Sequence, residues 1–295
     1  MAEYRITGLS SDVIGELIAE VGPLWHEQHQ ARLTARSRRR AVGAGAKHRF
    51  VFVDRLLATL VSLRHGTTHD VLACWFGVDR STITRAIGEV RPLLAQRGCT
   101  VAPGIRLRTL VEVIEHLGAD GRTGIIDGTE IRVRRPAAGR KDRDKFVSGK
   151  TKQNAVKSMV VTDAEGRVLF CSPVRPGSCA DITQARQLGL AQLLADGPFM
   201  EILADAGYQG MGAQTGGRVM TPPHRSHLVR GAARTATQGA LLTAHPRRAR
   251  HRTPEELASS RPAPWRREHM SDIVQAVAGL LSHQQTATLS RGFRG

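Results

Sequence analysis

The sequence predicts an α/β protein, a mixed sheet with flanking helices, preceded by an all-α region. Three observations predict it. Gly124-Ile125-Ile126-Asp127-Gly128 is a short apolar run ending on a carboxylate and a glycine, and Met200-Glu201-Ile202-Leu203-Ala204-Asp205-Ala206-Gly207 repeats the pattern downstream. Between them, 158–162 and 168–171 read as strands joined by the turn Asp163-Ala164-Glu165-Gly166. Ahead of Leu117, the apolar periods are helical.

Composition narrows the function. Lys and Arg number 43 against 26 Asp and Glu, a formal net charge of +17 over 295 residues. Such an excess implies an anionic partner, usually nucleic acid; the plainer reading is charge that only aids solubility. A hydrophobic content of 41% excludes a disordered basic tail. No run of about 18 apolar residues exists, which excludes a membrane span. The start, Met1-Ala2-Glu3-Tyr4-Arg5, has no signal-peptide core. Cys74, Cys99, Cys171 and Cys179 lack the paired short spacing of a zinc site, and a disulfide framework does not suit an intracellular chain.

In order along the chain, Val13, Leu17, Ile18 and Val21 recur at helical spacing, and Pro23 and Trp25 are expected to close that helix. The basic stretch 32–48, with Arg36, Arg38, Arg39, Arg40 and Lys47, reads as a solvated linker or a phosphate contact. Phe52, Leu56, Leu57, Leu60, Val61 and Leu63 give an amphipathic helix over 50–64. Residues 68–76 form a short helix, and Gly77-Val78-Asp79 a tight turn in which Val78 plugs the core and Asp79 caps the next helix. That second helix starts at Arg80, continues through Leu93 and Leu94, and stops at Gly98. This is the layout of a helix-turn-helix, whose second helix lies in the DNA major groove. Arg80, Ser81, Thr82, Thr84 and Arg85 supply hydroxyls and guanidiniums suited to phosphates and guanine edges. An ordinary helical hairpin has the same apolar pattern; the overall charge and the polar first turn favour DNA. A further helix is expected over 107–117 and a loop over 118–124.

From Asp127 the chemistry begins. Residues 129–133 continue as a strand with alternating faces, followed by Arg134, Arg135, Arg140, Lys141, Arg143, Lys145, Lys150, Lys152 and Lys157. Such a run is a solvated loop or, directly after a metal carboxylate, a phosphate track for the DNA strand being cut. Pro176-Gly177-Ser178 is a turn, 181–190 a helix, and Asp196-Gly197-Pro198 a loop before the Asp205 strand. Strand, hairpin pair, helix and strand, with carboxylates at the tips of the first and fourth strands, match a ribonuclease H-like sheet. Hard divalent cations prefer oxygen ligands, and a pair of them can clamp the attacking and leaving oxygens of an in-line displacement.

Five motifs then fall in register: Asp127-Gly128-Thr129, Lys150-Thr151-Lys152-Gln153-Asn154, Pro176-Gly177-Ser178, Ala204-Asp205-Ala206-Gly207-Tyr208-Gln209-Gly210 and Thr221-Pro222-Pro223-His224. Together they resemble bacterial insertion-sequence transposases of the DDE superfamily, in the group related to Harbinger-type nucleases. The resemblance covers residues 45–224 and resumes at Arg267-Glu268-His269-Met270-Ser271-Asp272. It implies Asp127 and Asp205 as the first and second catalytic, metal-binding acids, with Mg²⁺ (or Mn²⁺) as cofactor. It implies DNA end cleavage and strand transfer, with double-stranded DNA, both terminal inverted repeats and target, as partner. It also implies a homodimer on DNA, no membrane, and a cytoplasmic, nucleoid-associated location. Asp181 falls where such proteins often carry an acid, and is read as a helix cap or a group behind the ligands. Glu130, three residues past Asp127 on a strand, points to the opposite face and is not expected to share the metal.

The chain also departs from the pattern. The family's third acid, a Glu, belongs on a helix after Pro222-Pro223, within an Arg-Val-Glu-His sequence that is absent here. Residues 224–264 are rich in Arg and Ala, hold no Lys, Asp, Ile or aromatic residue, and keep no helical period. Arg247-Arg248-Ala249-Arg250-His251-Arg252-Thr253-Pro254-Glu255-Glu256-Leu257 is what a GC-rich gene gives when that helix is read one frame away. A compensating shift before Arg267 would restore the frame. The expectation is a double-frameshifted copy that keeps DNA binding and loses strand transfer. The alternative is a genuine segment in which Glu255, Glu256 or Glu268 replaces the acid. The divisions expected are an N-terminal helix and basic linker (1–48), a helix-turn-helix domain (49–118), a ribonuclease H-like nuclease (119–223), an out-of-frame segment (224–266) and a C-terminal helix of the nuclease (267–295). The rival functions are a site-specific DNA-binding regulator without catalysis, and a metal-dependent nuclease that cuts but never joins.

Overall fold

In the computed structural model, which describes residues 2–35, 50–135, 137, 139, 142–223 and 267–292, the apolar periods ahead of Gly98 become five helices. α1 (Ala2–Thr7) leads into α2 (Ser11–Thr34), where the Ser10 side chain accepts from the Val13 amide. α2 runs through Pro23 instead of closing there. Val21 and Trp25 are buried while Pro23 and Ala19 face solvent, so the carbonyl that Pro23 leaves without a donor meets water. α3 (Phe52–His65), α4 (His69–Phe76) and α5 (Arg80–Gln96) come next, with Gly66 and Gly77 ending the first two in the left-handed region at φ 62° and 61°. Leu72, Ile83, Ala86 and Ile87 close a small core against α3, and Val78 packs on it from the turn. Asp79 occupies the N-cap position of α5, but its side chain makes no capping hydrogen bond.

Where a helix was expected from Leu107, a hairpin of β1 (Cys99–Ala102) and β2 (Ile105–Leu107) forms first. The reason is local. Thr109 accepts from the Glu112 amide while Glu112 accepts from the Thr109 amide, and this capping box starts α6 (Leu110–Ala119) beyond Leu107.

The sheet comprises β3 (Gly124–Arg132), β4 (Ala155–Asp163), β5 (Val168–Cys171), β6 (Arg175–Pro176), β7 (Ile202–Ala204) and β8 (Val219–Met220). Its order is β5-β4-β3-β7-β8, with β6 alongside β4. β3–β4 and β4–β5 are antiparallel, whereas β3–β7 and β7–β8 are parallel. That order and those directions are those of a ribonuclease H-like fold, in line with the expectation. The single helix expected over 181–190 divides at Gly189 (φ 76°) into α7 (Asp181–Gln187) and α8 (Leu190–Asp196). α9 (Met211–Gln214) lies beyond β7.

The last helix, α10 (Met270–Gly292), continues past Leu281 and packs on α5, β1 and β5. Gln284 accepts from the Ser10 amide at 2.8 Å and Ser282 from the Thr100 amide at 2.9 Å, so α10 joins the helical front to the sheet. Gly279 permits the approach, since a Cβ there would lie 2.7 Å from the Gly98 carbonyl oxygen. Among the described residues no helix is long and apolar enough to cross a membrane. Arg36, Arg38, Arg39, Arg40, Lys47, Arg140, Lys141 and the segment 224–266, with Glu255 and Glu256, lie outside the described residues.

Candidate active site

Strand register builds the site. The parallel pairing of β3 with β7 ends at Ile126↔Ala204, so the next residues, Asp127 and Asp205, leave the pair side by side. Asp127 is not at the tip of its own strand: β3 continues along β4, with Asp127 opposite Val160, and only β7 stops. Asp127 accepts from the Gly128 amide at 2.7 Å. Asp205 caps a 3-10 turn over Ala206–Tyr208 and accepts from the Gly207 amide at 2.9 Å.

A third carboxylate enters from α7. Asp181 is the first residue of that helix rather than its cap, which is Ala180. A Cβ built on Gly128 would lie 2.6 Å from Asp181 Oδ1, and one on Gly207 would lie 2.9 Å from Asp181 Oδ2 and 3.0 Å from Asp205 Oδ1. The two glycines thus form a cradle that any side chain would fill. Lys157, on β4, donates to Asp181 Oδ1 at 3.2 Å.

The electrostatics agree. Crowding by protein holds the Asp127 carboxyl above its ordinary acidity range, and Asp205 and Asp181 add to this, against the Gly128 amide and Lys150. Tyr208 is fully buried, and its hydroxyl has no hydrogen-bond partner among the described residues. Burial first, and then the charges of Asp181, Asp127 and Asp205, push its pKa up.

Glu130, opposite Lys157 in the β3–β4 register, has work of its own. It accepts from Ser148 Oγ at 2.7 Å and from the Thr151 hydroxyl. Ser148 Oγ in turn accepts from the Lys150 and Thr151 amides, each at 3.1 Å. Lys152, at φ 57°, completes the turn by donating its amide to the Ser148 carbonyl. Glu130 therefore fixes the loop whose Lys150 charge bears on Asp127. Within the basic stretch, Lys145 is paired with Asp142 and Lys157 with Asp181, so those two ammoniums are already neutralised.

On α5, Arg80, Ser81, Thr84 and Arg85 are exposed and Thr82 half-buried, opposite the buried Ile83, Ala86 and Ile87. Thr84 donates to the Arg80 carbonyl and bonds His69 Nδ1 at 2.8 Å, while Arg80 pairs with Asp70 at 3.4 Å. Sequence reasoning missed the cradle, the Tyr208 hydroxyl and the Glu130 clamp. Its one available signal was the glycine close behind each strand carboxylate.

A cavity of about 900 Å³ lies elsewhere, against Leu60, Leu63, Val277 and Leu281, and holds none of these residues. Glu268 is exposed on the turn before α10 and is not among the charges bearing on Asp127. Carboxylate oxygens beside a glycine cradle and an orphaned phenol are the donor chemistry a hard divalent cation takes. Among the described residues, no group of three or more Asp, Glu, His or Cys side chains is placed to hold a metal ion as it stands.

A family model described as DDE superfamily endonuclease matches residues 126–280, just over half of the chain. A second, described as helix-turn-helix of DDE superfamily endonuclease, matches residues 50–100. Among solved structures the chain is similar to the Mos1 transposase paired-end complex with left transposon end, at 11% identity over 68% of this chain and 66% of that one, with a TM-score of 0.21. It is also similar to the Mos1 mariner paired end complex with Mn, at 14% identity over 68% and 66%, with a TM-score of 0.20. The chain spans just under two thirds of the length of those chains, and at such scores the likeness adds nothing to the sheet order above. No curated protein matches the chain.

Proposed function

The chain belongs to the DDE superfamily endonucleases, and on that premise we propose that it is an insertion-sequence DNA transposase that has lost strand transfer. The observation that carries the reading is the β3–β7 register, which sets Asp127 beside Asp205. Those two carboxylates would hold Mg²⁺ or Mn²⁺. When bound, the cation supplies Lewis-acid assistance to an in-line displacement at a phosphodiester. Lys150 and Lys152, on the loop fixed by Glu130, take the phosphates of the strand to be cut. Arg80, Ser81, Thr82, Thr84 and Arg85 meet the duplex at the element's terminal repeats, with target DNA as the second substrate and a homodimer as the working unit. The helix-turn-helix division (49–118), the nuclease (119–223 with 267–295) and a bacterial, nucleoid-associated setting belong to the same reading.

The loss of strand transfer rests on the absence of the Arg-Val-Glu-His helix. Translating codons 220–270 in the other two frames tests it: recovery of that helix supports the loss, and its absence from both overturns it. DNA binding is tested by mobility shift on the two ends that flank the gene. Arg80→Ala and Arg85→Ala should each cut affinity by about 1–3 kcal/mol if they read base edges, and lower the salt slope by about one if they hold phosphate. Joined DNA products with Mn²⁺ would overturn the inactive reading, and lack of end-specific binding would overturn the transposase. A pure regulator has no use for two carboxylates set side by side.

A further inference from the structure

We propose that Asp181 is the third carboxylate of the cation site, reaching it through the gap between Gly128 and Gly207. The inference rests on the reading that Asp127 and Asp205 hold the cation. It goes beyond that reading by naming an acid from α7 rather than from the segment after Pro223.

Three observations carry it. The backbone on both sides of the pocket is stripped of side chains where the Asp181 carboxylate enters, since a Cβ at either glycine would lie within 3 Å of one of its oxygens. Ala at position 128 or 207 would displace it. Next, Tyr208, three residues past Asp205, carries a fully buried hydroxyl that has no hydrogen-bond partner among the described residues. A phenol left in that state is costly, and a carboxylate reoriented toward a bound cation would supply the missing partner. Finally, the two oxygens of Asp181 differ. Oδ1 takes Lys157, while Oδ2 faces Gly207 on the Asp205 side, and no hydrogen bond among the described residues falls on it.

Lys157 explains why the cage is open. Its ammonium, on β4, holds Oδ1 at 3.2 Å, with both side chains largely buried. A small rotation of Asp181 toward Asp205 trades the ammonium for a divalent cation. Lys157 is therefore a competitor for the site and keeps Asp181 from facing two like charges alone.

The test is Mn²⁺ titration of the full-length protein, read by the electron paramagnetic resonance of free Mn²⁺, with circular dichroism as the check on folding. Asp205→Asn and Asp181→Asn should each weaken Mn²⁺ binding at least tenfold. Lys157→Met should strengthen it several-fold, because nothing then competes for Asp181. Should Asp127→Asn and Asp205→Asn leave binding unchanged, the parent reading fails. Should Asp205→Asn abolish binding while Asp181→Asn keeps wild-type affinity, this inference alone fails. If Asp181→Asn does not fold, Lys157→Met decides: tighter binding supports the proposal, and unchanged affinity overturns it. Weakening by Glu268→Gln would place the third acid on the turn before α10 and overturn it as well.

Discussion

Glu89 and Asp127 are both carboxylates with protein close around them, but Glu89 is buried and Asp127 reaches solvent, and their surroundings are opposite. Glu89 is buried between α2, α3 and α5, where Trp25 Nε1 donates at 2.9 Å, Arg55 at 3.0 Å and Arg32 at 2.9 Å. Arg55 also lies over the Trp25 ring. Both carboxylate oxygens there have donors. Asp127 has one amide, two carboxylate neighbours and an orphaned phenol nearby. A cluster that holds helices together neutralises its charge from within. A cluster that gathers like charge and leaves it open is kept for something brought from outside.

The contrast can be broken at its balanced end with the largest effect. Arg55→Met removes a donor from a buried carboxylate and should cost about 3 kcal/mol in urea unfolding, as breaking one partner of a buried pair does. Stability within a few tenths of wild type would mean that Trp25 and Arg32 suffice for Glu89. Glu130 lies between the extremes, its charge used to hold a loop rather than helices or a cation. Glu130→Ala should free that loop at about 1–2 kcal/mol, seen as faster hydrogen exchange at the Lys150 and Thr151 amides with the sheet unchanged. Exchange that stays slow would take the clamp away from Glu130.

The smallest effect sharpens the open end. The folded-state pKa of Asp127 is raised, so the fold is free of the penalty below the ordinary carboxyl range. It loses stability as pH rises from that range through the raised value. Asp127→Asn should therefore be slightly more stable than wild type at pH 7 without added metal, and the gain should vanish below about pH 4. The measurement is melting temperature against pH; a mutant less stable at pH 7 would show that Asp127 is held by favourable partners after all.

Much of this was legible beforehand because it is written in short periods. The apolar runs that end at Asp127 and Asp205 give the two parallel strands, and Gly77 gives the turn between α4 and α5. What escaped the sequence depends on contacts across space. Pro23 reads as a stop, yet its exposed face lets α2 continue. Leu107 reads as the start of a helix until the Thr109–Glu112 capping box claims that start. Asp181 reads as one acid beside a turn; only the packing of α7 against β4 and the turn Ala206–Tyr208 wedges it between two glycines. No periodicity records the placement of Glu130 under Ser148, because a strand residue and a loop are joined there by register alone.

The position of α10 has a consequence for synthesis. Ile273, Val274, Ala276 and Leu280 cover Leu93, Leu94, Cys99 and Cys171, and His283 reaches back to Glu16 at 2.7 Å. On a ribosome, those earlier surfaces emerge first and stay uncovered until α10 has left the exit tunnel. A product truncated before Met270 would carry a bare apolar seam along α5, β1 and β5, a substrate for aggregation and proteolysis. A reading frame lost after Pro223 and regained before Arg267 could abolish chemistry and still deliver a folded chain, because α10, the piece that closes the seam, lies beyond the restored frame.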